Sequence, residues 1–126
     1  MKRSWLGLGL LLVVLVLGLL VTWAMDRIHS PIEEALTAAA DAAQQNNWSL
    51  AQTHFDSAKN RWEKWLHFRS CFADHSPVEE IDGSFARLQI YCHLRENAAF
   101  AADCRELAKK VAAVGEAHGL VWWNIL

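Results

Sequence analysis

Asp74, His75, Glu79, Glu80 and Asp82 are the densest group of ionisable side chains in this 126-residue chain. Metal ligands, or an acid–base pair, on one helical face need spacings of three or four residues. His75 to Glu79 and Glu79 to Asp82 both satisfy that requirement. Helix capping accounts for the same residues with less. Carboxylates in a first turn face the positive end of the helix dipole, and a Ser followed by Pro, here Ser76-Pro77, starts helices well. The stretch 75–80, HSPVEE, also repeats 29–34, HSPIEE, at an offset of 46 residues. Two caps are a simpler inference than two metal sites. His75, Glu79 and Asp82 are kept as metal candidates of second choice, and no catalytic or cofactor-binding residue is assigned.

The remaining reactive side chains are scattered. Cys71, Cys92 and Cys104 form no Cys-x-x-Cys pair, which disfavours thioredoxin-like chemistry and ribbon-type zinc. Cys92 and Cys104 flank the turn near Asn97 on inward stripes, so a disulfide between them is geometrically open; the competing reading is buried thiols acting as small apolar residues. Six histidines include His67 and His93 near helix ends and His118 on an inward stripe, but no haem-attachment or His-Glu-x-x-His motif. No glycine-rich phosphate loop or nucleophile elbow is present.

Hydrophobic period defines the elements that must position these groups. Ile32, Leu36, Ala39 and Ala43 make the seam of a first helix opened by Ser30 and Pro31 and closed near Gln45. Trp48, Ala51, Phe55, Ala58, Trp62 and Trp65 make a second, whose tryptophans can fill the room its alanine-rich neighbour leaves. Val78, Ile81, Phe85, Leu88 and Cys92 make a third, from Pro77 to about Arg95. Phe100, Cys104, Leu107, Val111, Val114, His118, Trp122 and Ile125 make a fourth, with an exit at Gly119 left open. The period of about 3.5 residues and the short connections predict an all-α, antiparallel, left-handed four-helix bundle of two αα-hairpins, residues 30–73 and 76–125.

Ahead of the bundle, residues 5–25 carry no charge and one hydroxyl, Thr22. As a helix these 21 residues extend about 31 Å, matching a hydrocarbon core of about 30 Å. The stretch is too long for a typical signal-peptide core and has a poor cleavage site, so an uncleaved transmembrane anchor is expected. Lys2 and Arg3 in segment 1–4, against the self-cancelling Asp26 and Arg27, place the N-terminus in the cytoplasm and segment 26–126 outside. Trp5 and Trp23 fall at headgroup level.

Beyond Lys2 and Arg3 the chain has ten basic against fourteen acidic residues. A net acidic domain without a basic stripe argues against nucleic-acid binding. The segment 121–126, VWWNIL, is apolar on more than one face and either covers the bundle end or meets lipid.

The anchor, Trp62-Glu63-Lys64-Trp65, Phe72-Ala73-Asp74-His75, Val78-Glu79-Glu80-Ile81-Asp82 and Phe85-Ala86-Arg87-Leu88 together resemble the bacterial domain-of-unknown-function family 4363, small single-span proteins common in Gram-positive anaerobes. The resemblance implies a membrane-anchored helical domain; it carries over no activity, cofactor or catalytic residue. Three functions are weighed. The first is an interaction or accessory protein of the cell envelope, using an apolar patch at Phe68 and Phe72 or at Trp122, Trp123 and Ile125, with an unknown protein partner or a second copy. The second is a small-molecule or metal-binding sensor or carrier built on Asp74-His75 and Glu79. An enzyme ranks last, since bundles host many functions and no catalytic constellation is legible here.

Overall fold

The structure, a computed structural model, describes the backbone of residues 1–69 and 76–124 and the side chains of 1–24, 26–65 and 78–114. These residues form α1 (Lys2–Gln44), α2 (Trp48–Arg69), α3 (Ser76–Leu94) and α4 (Asn97–Asn124). Each helix lies beside its neighbours in a ring: α1 against α2 and α4, and α3 against α4 and, more distantly, α2. Among the described residues the backbones of the diagonal pairs stay apart and only large rings reach across, as expected of an antiparallel four-helix bundle.

The expected break at Ser30-Pro31 is absent. Membrane-length stretch and first bundle helix form one helix of 43 residues with Pro31 inside it. A helix-interior proline forfeits the bond to the carbonyl four residues earlier, here that of Arg27, and costs about 3 kcal/mol. Packing outweighs that cost: His29 and Ile32 are both buried, and the His29 ring meets Trp65 edge-on at 4.8 Å. In the second copy of the hexapeptide, residues 76–80 are helical within α3, and His75 lies outside the described residues. At the other end of the chain, α4 continues through Gly119 to Asn124.

All four seam residues of α1, Ile32, Leu36, Ala39 and Ala43, are fully buried. Alanines at 39, 40, 42 and 43 let α2 and α4 come close to α1. The space between the other helices is filled by rings. Phe55 of α2 packs on Phe85 of α3 and Phe100 of α4, each at 6.0 Å between centroids. Trp62 stacks on Phe85 at 6.3 Å, and Trp48 meets Phe100 at 5.3 Å. These bulky contacts hold α2 and α3 apart while α1 fits tightly. Full burial of each large side chain is worth about 1.5–3 kcal/mol.

The two hairpin turns share one backbone solution. Asn46 and Arg95 adopt positive φ, 58° and 54°. At the first turn Asn46 N–H donates to the Ala43 carbonyl and Asn47 N–H to that of Ala42. At the second, Arg95 N–H donates to Cys92 and Glu96 N–H to Tyr91. Both are Schellman closures, satisfying carbonyls the helix ends would otherwise strand. Asn47 then caps α2 by accepting from Leu50 N–H at 3.3 Å, and Asn97 Nδ2 donates to Asn46 Oδ1, tying the turns together.

Candidate functional site

Asp82 is tied to the core through one carboxylate oxygen. The Trp62 indole, buried within α2, donates its N–H to Asp82 Oδ1 at 2.7 Å across to α3. One turn above, Lys59 Nζ donates to Gln89 Oε1 at 2.9 Å between the same helices. Glu79 is exposed in the first turn of α3, where the helix dipole favours a carboxylate. His75 and Asp74 lie outside the described residues. Among the described residues no cluster of three or more His, Cys, Asp or Glu side chains is placed to hold a metal ion.

Cys92 and Cys104 are free thiols, so the bridge that sequence left open is not formed. Cys104 is fully buried on the inward face of α4, and Cys92 is half-buried on α3. Burial pushes the Cys104 thiol up to about 12, with smaller contributions from Cys92 and Asp103. Burial also raises Cys92, aided by Asp56 and opposed by Arg95. Neither thiol has the lowered value a nucleophile or redox centre needs. Cys71 lies outside the described residues.

Ion pairs brace the outside of the bundle. Arg87 holds Asp103 at 2.8 Å, Arg105 holds Asp41 at 2.7 Å, and Lys110 holds Glu80 at 3.0 Å. The Glu80 hydrogen bond is the largest influence raising the Lys110 ammonium. Pairs this exposed are worth about 0–1 kcal/mol each and serve mainly to fix register.

Two surfaces were not singled out by sequence. On α3, Gly83, Ala86, Ile90 and Leu94 share an outward face, with Ile90 60% and Leu94 62% exposed. A Cβ at Gly83 would meet nothing within 4 Å. The second surface is a groove where α2 returns to the start of the bundle, lined by Arg27, Ile28, Arg61, Lys64 and Trp65. Hydrophobic period marks the seams; of these residues Trp65 lies on one and the others lie beside them. The legible signal was a cation immediately before each of the tryptophans 62 and 65. The patch expected from Phe68, Phe72, Trp122, Trp123 and Ile125 falls outside the described side chains.

The N-terminal half of α1 is long and apolar enough to cross a membrane, and its side chains are almost entirely uncovered by the rest of the chain. Fold and surface together define an all-α bundle carried on a long apolar helix. The family model for a domain of unknown function, DUF4363, matches residues 20–125, and the chain belongs to that family. No curated protein and no solved structure matches it.

Proposed function

We propose that this chain is a non-catalytic interaction or accessory protein of the bacterial cell envelope. Residues 5–25 anchor it in the membrane, its N-terminus is cytoplasmic, and the bundle is held outside to engage another protein. The observation that carries this reading is the outward face of α3, where Ile90 and Leu94 stand exposed beside Gly83 and Ala86. Small residues beside two exposed aliphatic ones let a partner helix lie close along α3. The metal-binding alternative is weakened because Asp82, one of its three ligands, already accepts from Trp62.

A photo-reactive amino acid placed in turn at positions 90 and 94, in the full-length protein in intact cells, tests the proposal. Thr53 and Asn60, exposed on α2, serve as control positions. One identified protein crosslinked from 90 and 94 and not from the controls is the expected result. Equal adducts from all four positions would overturn the proposal. So would adducts between copies of the chain alone, which would make the face a self-association surface.

A further inference from the structure

The groove where the bundle meets the apolar half of α1 gathers basic side chains around an apolar pair. Among the described residues its lining is three cations, Arg27, Arg61 and Lys64, with Ile28 and Trp65 and no carboxylate; Asp56 shares the adjoining α2 surface with Arg61 and Lys64. Asp26 and Glu63 are next to Arg27 and Lys64 in sequence, but neither lines the groove. Among the described residues none of the three cations forms an ion pair; Arg95 and Lys109 form none either, but they stand apart from one another in sequence and do not line this groove. In a domain with more acidic than basic residues, three uncompensated cations at one place mark a site that attracts an anion.

Its depth says which anion. Arg27 and Ile28 follow residue 25 by two and three positions, so they stand about 3–5 Å beyond the apolar stretch at 1.5 Å per residue. A headgroup layer is about 5–7 Å thick on each side of the hydrocarbon. Antiparallel α2 brings Trp65 to the level of His29, at 4.8 Å, and Arg61 one turn higher. Trp23, at the end of the apolar stretch, lies under the Arg27 guanidinium at 4.6 Å and holds it at the boundary. Arg27 therefore lies within the headgroup layer, Lys64 at about its outer edge and Arg61 roughly one helical turn beyond it, and one groove joins all three.

We infer that Arg27, Arg61 and Lys64 form a seat for the headgroup of an anionic phospholipid in the leaflet from which the bundle rises, with Ile28 and Trp65 lining the groove between them. This inference rests on the membrane-anchored reading above. The guanidiniums bind phosphate oxygens through paired N–H donors, and Lys64 adds a point charge. A neutral zwitterionic lipid offers the same phosphate with its charge cancelled, so the seat discriminates by net charge.

The test uses the full-length chain reconstituted in vesicles of equimolar phosphatidylcholine and phosphatidylglycerol. The vesicles are washed with alkaline carbonate, gently extracted, and the lipids retained on the protein are counted by native mass spectrometry. Retention of phosphatidylglycerol over phosphatidylcholine is expected, falling about fivefold for each cation replaced in Arg27→Gln, Arg61→Gln and Lys64→Gln. Replacing Arg95 and Lys109, which do not line the groove, leaves the preference intact. Equal retention of the two lipids, or a preference that survives in the triple variant, overturns the headgroup seat while leaving the anchor standing. Release of the chain by the carbonate wash overturns the anchor itself, and the seat with it.

Discussion

The Trp62 indole nitrogen lies 2.7 Å from Asp82 Oδ1, joining α2 to α3 through a charged acceptor. These two helices pack less closely than α1 does with its neighbours, so this bond and the Lys59–Gln89 bond carry much of their alignment. A hydrogen bond to a charged partner contributes about 1.5–3 kcal/mol. Asp82→Ala is expected to destabilise the full-length chain in detergent by that amount, about 1.5–3 kcal/mol, in urea titrations followed by tryptophan fluorescence. Asp82→Asn keeps an acceptor and loses about half as much. A Asp82→Ala variant as stable as the parent would show that the bond does not align the helices.

The alanine face of α1 makes a second prediction. Ala39 and Ala43 are fully buried where α2 and α4 close on α1. Leucine at either site has no room without pushing a neighbouring backbone aside. Ala39→Leu is expected to cost about 1–3 kcal/mol, against a change within about 0.5 kcal/mol for Ala102→Leu at an exposed site on α4. Parallel thermal melts of the two variants by far-ultraviolet circular dichroism measure the difference.

Pro31 is tolerated because His29 and Ile32 are locked into the core on either side of it. Pro31→Ala restores an N–H donor for the Arg27 carbonyl and is expected to raise stability by about 1–3 kcal/mol, read as a higher unfolding midpoint. Had Pro31 stood at a helix start, as its Ser-Pro-x-Glu context suggests, the same change would be neutral or slightly harmful.

That proline marks the limit of what the sequence disclosed about the fold. The seams were legible: Ile32, Leu36, Phe55, Trp62, Ile81, Phe85, Leu88, Phe100, Leu107 and Val111 are all buried where the period places them. The joint between membrane-length stretch and bundle was not, because local capping chemistry argued for a break and only tertiary burial of His29 overrides it. Less of the candidate site could be read. Spacing placed Asp82 among metal ligands, but spacing along one helix cannot reveal an indole donor arriving from another. Ile90 and Leu94 read as ordinary off-seam residues until the turn of α3 showed that no helix covers them among the described residues.

Arg95 occupies the left-handed backbone position that closes α3, with φ 54°. A side chain with a Cβ in that conformation costs about 1–2 kcal/mol relative to glycine, partly offset by the greater freedom glycine has when unfolded. Arg95→Gly is expected to stabilise the chain by about 0.5–1 kcal/mol. Asn46→Gly, at φ 58°, should gain less, because asparagine tolerates this region and its side chain accepts from Asn97. Denaturant midpoints of the two variants, compared at equal slope, give the order.

Cys104 supplies a pH signature. Its thiol ionises near 9.0 when exposed and at about 12 when buried in the fold. Below about pH 9 it is protonated in both states and adds no pH dependence. Between 9 and 12 the unfolded chain releases the proton first, so stability falls as pH rises through that window. Lys110, also raised in the fold, loses its Glu80 bond at alkaline pH too, but it is unchanged by substitution at 104. The expected result is that the stability difference between wild type and Cys104→Ala is constant below pH 9 and shrinks above it, since the cavity cost of alanine does not depend on pH. The same burial makes Cys104 resist iodoacetamide at neutral pH in peptide-resolved mass spectrometry, with Cys92 labelled first and Cys104 labelled only after denaturation. Equal labelling of the two in the native protein would show that the α3–α4 interface opens readily around Cys104.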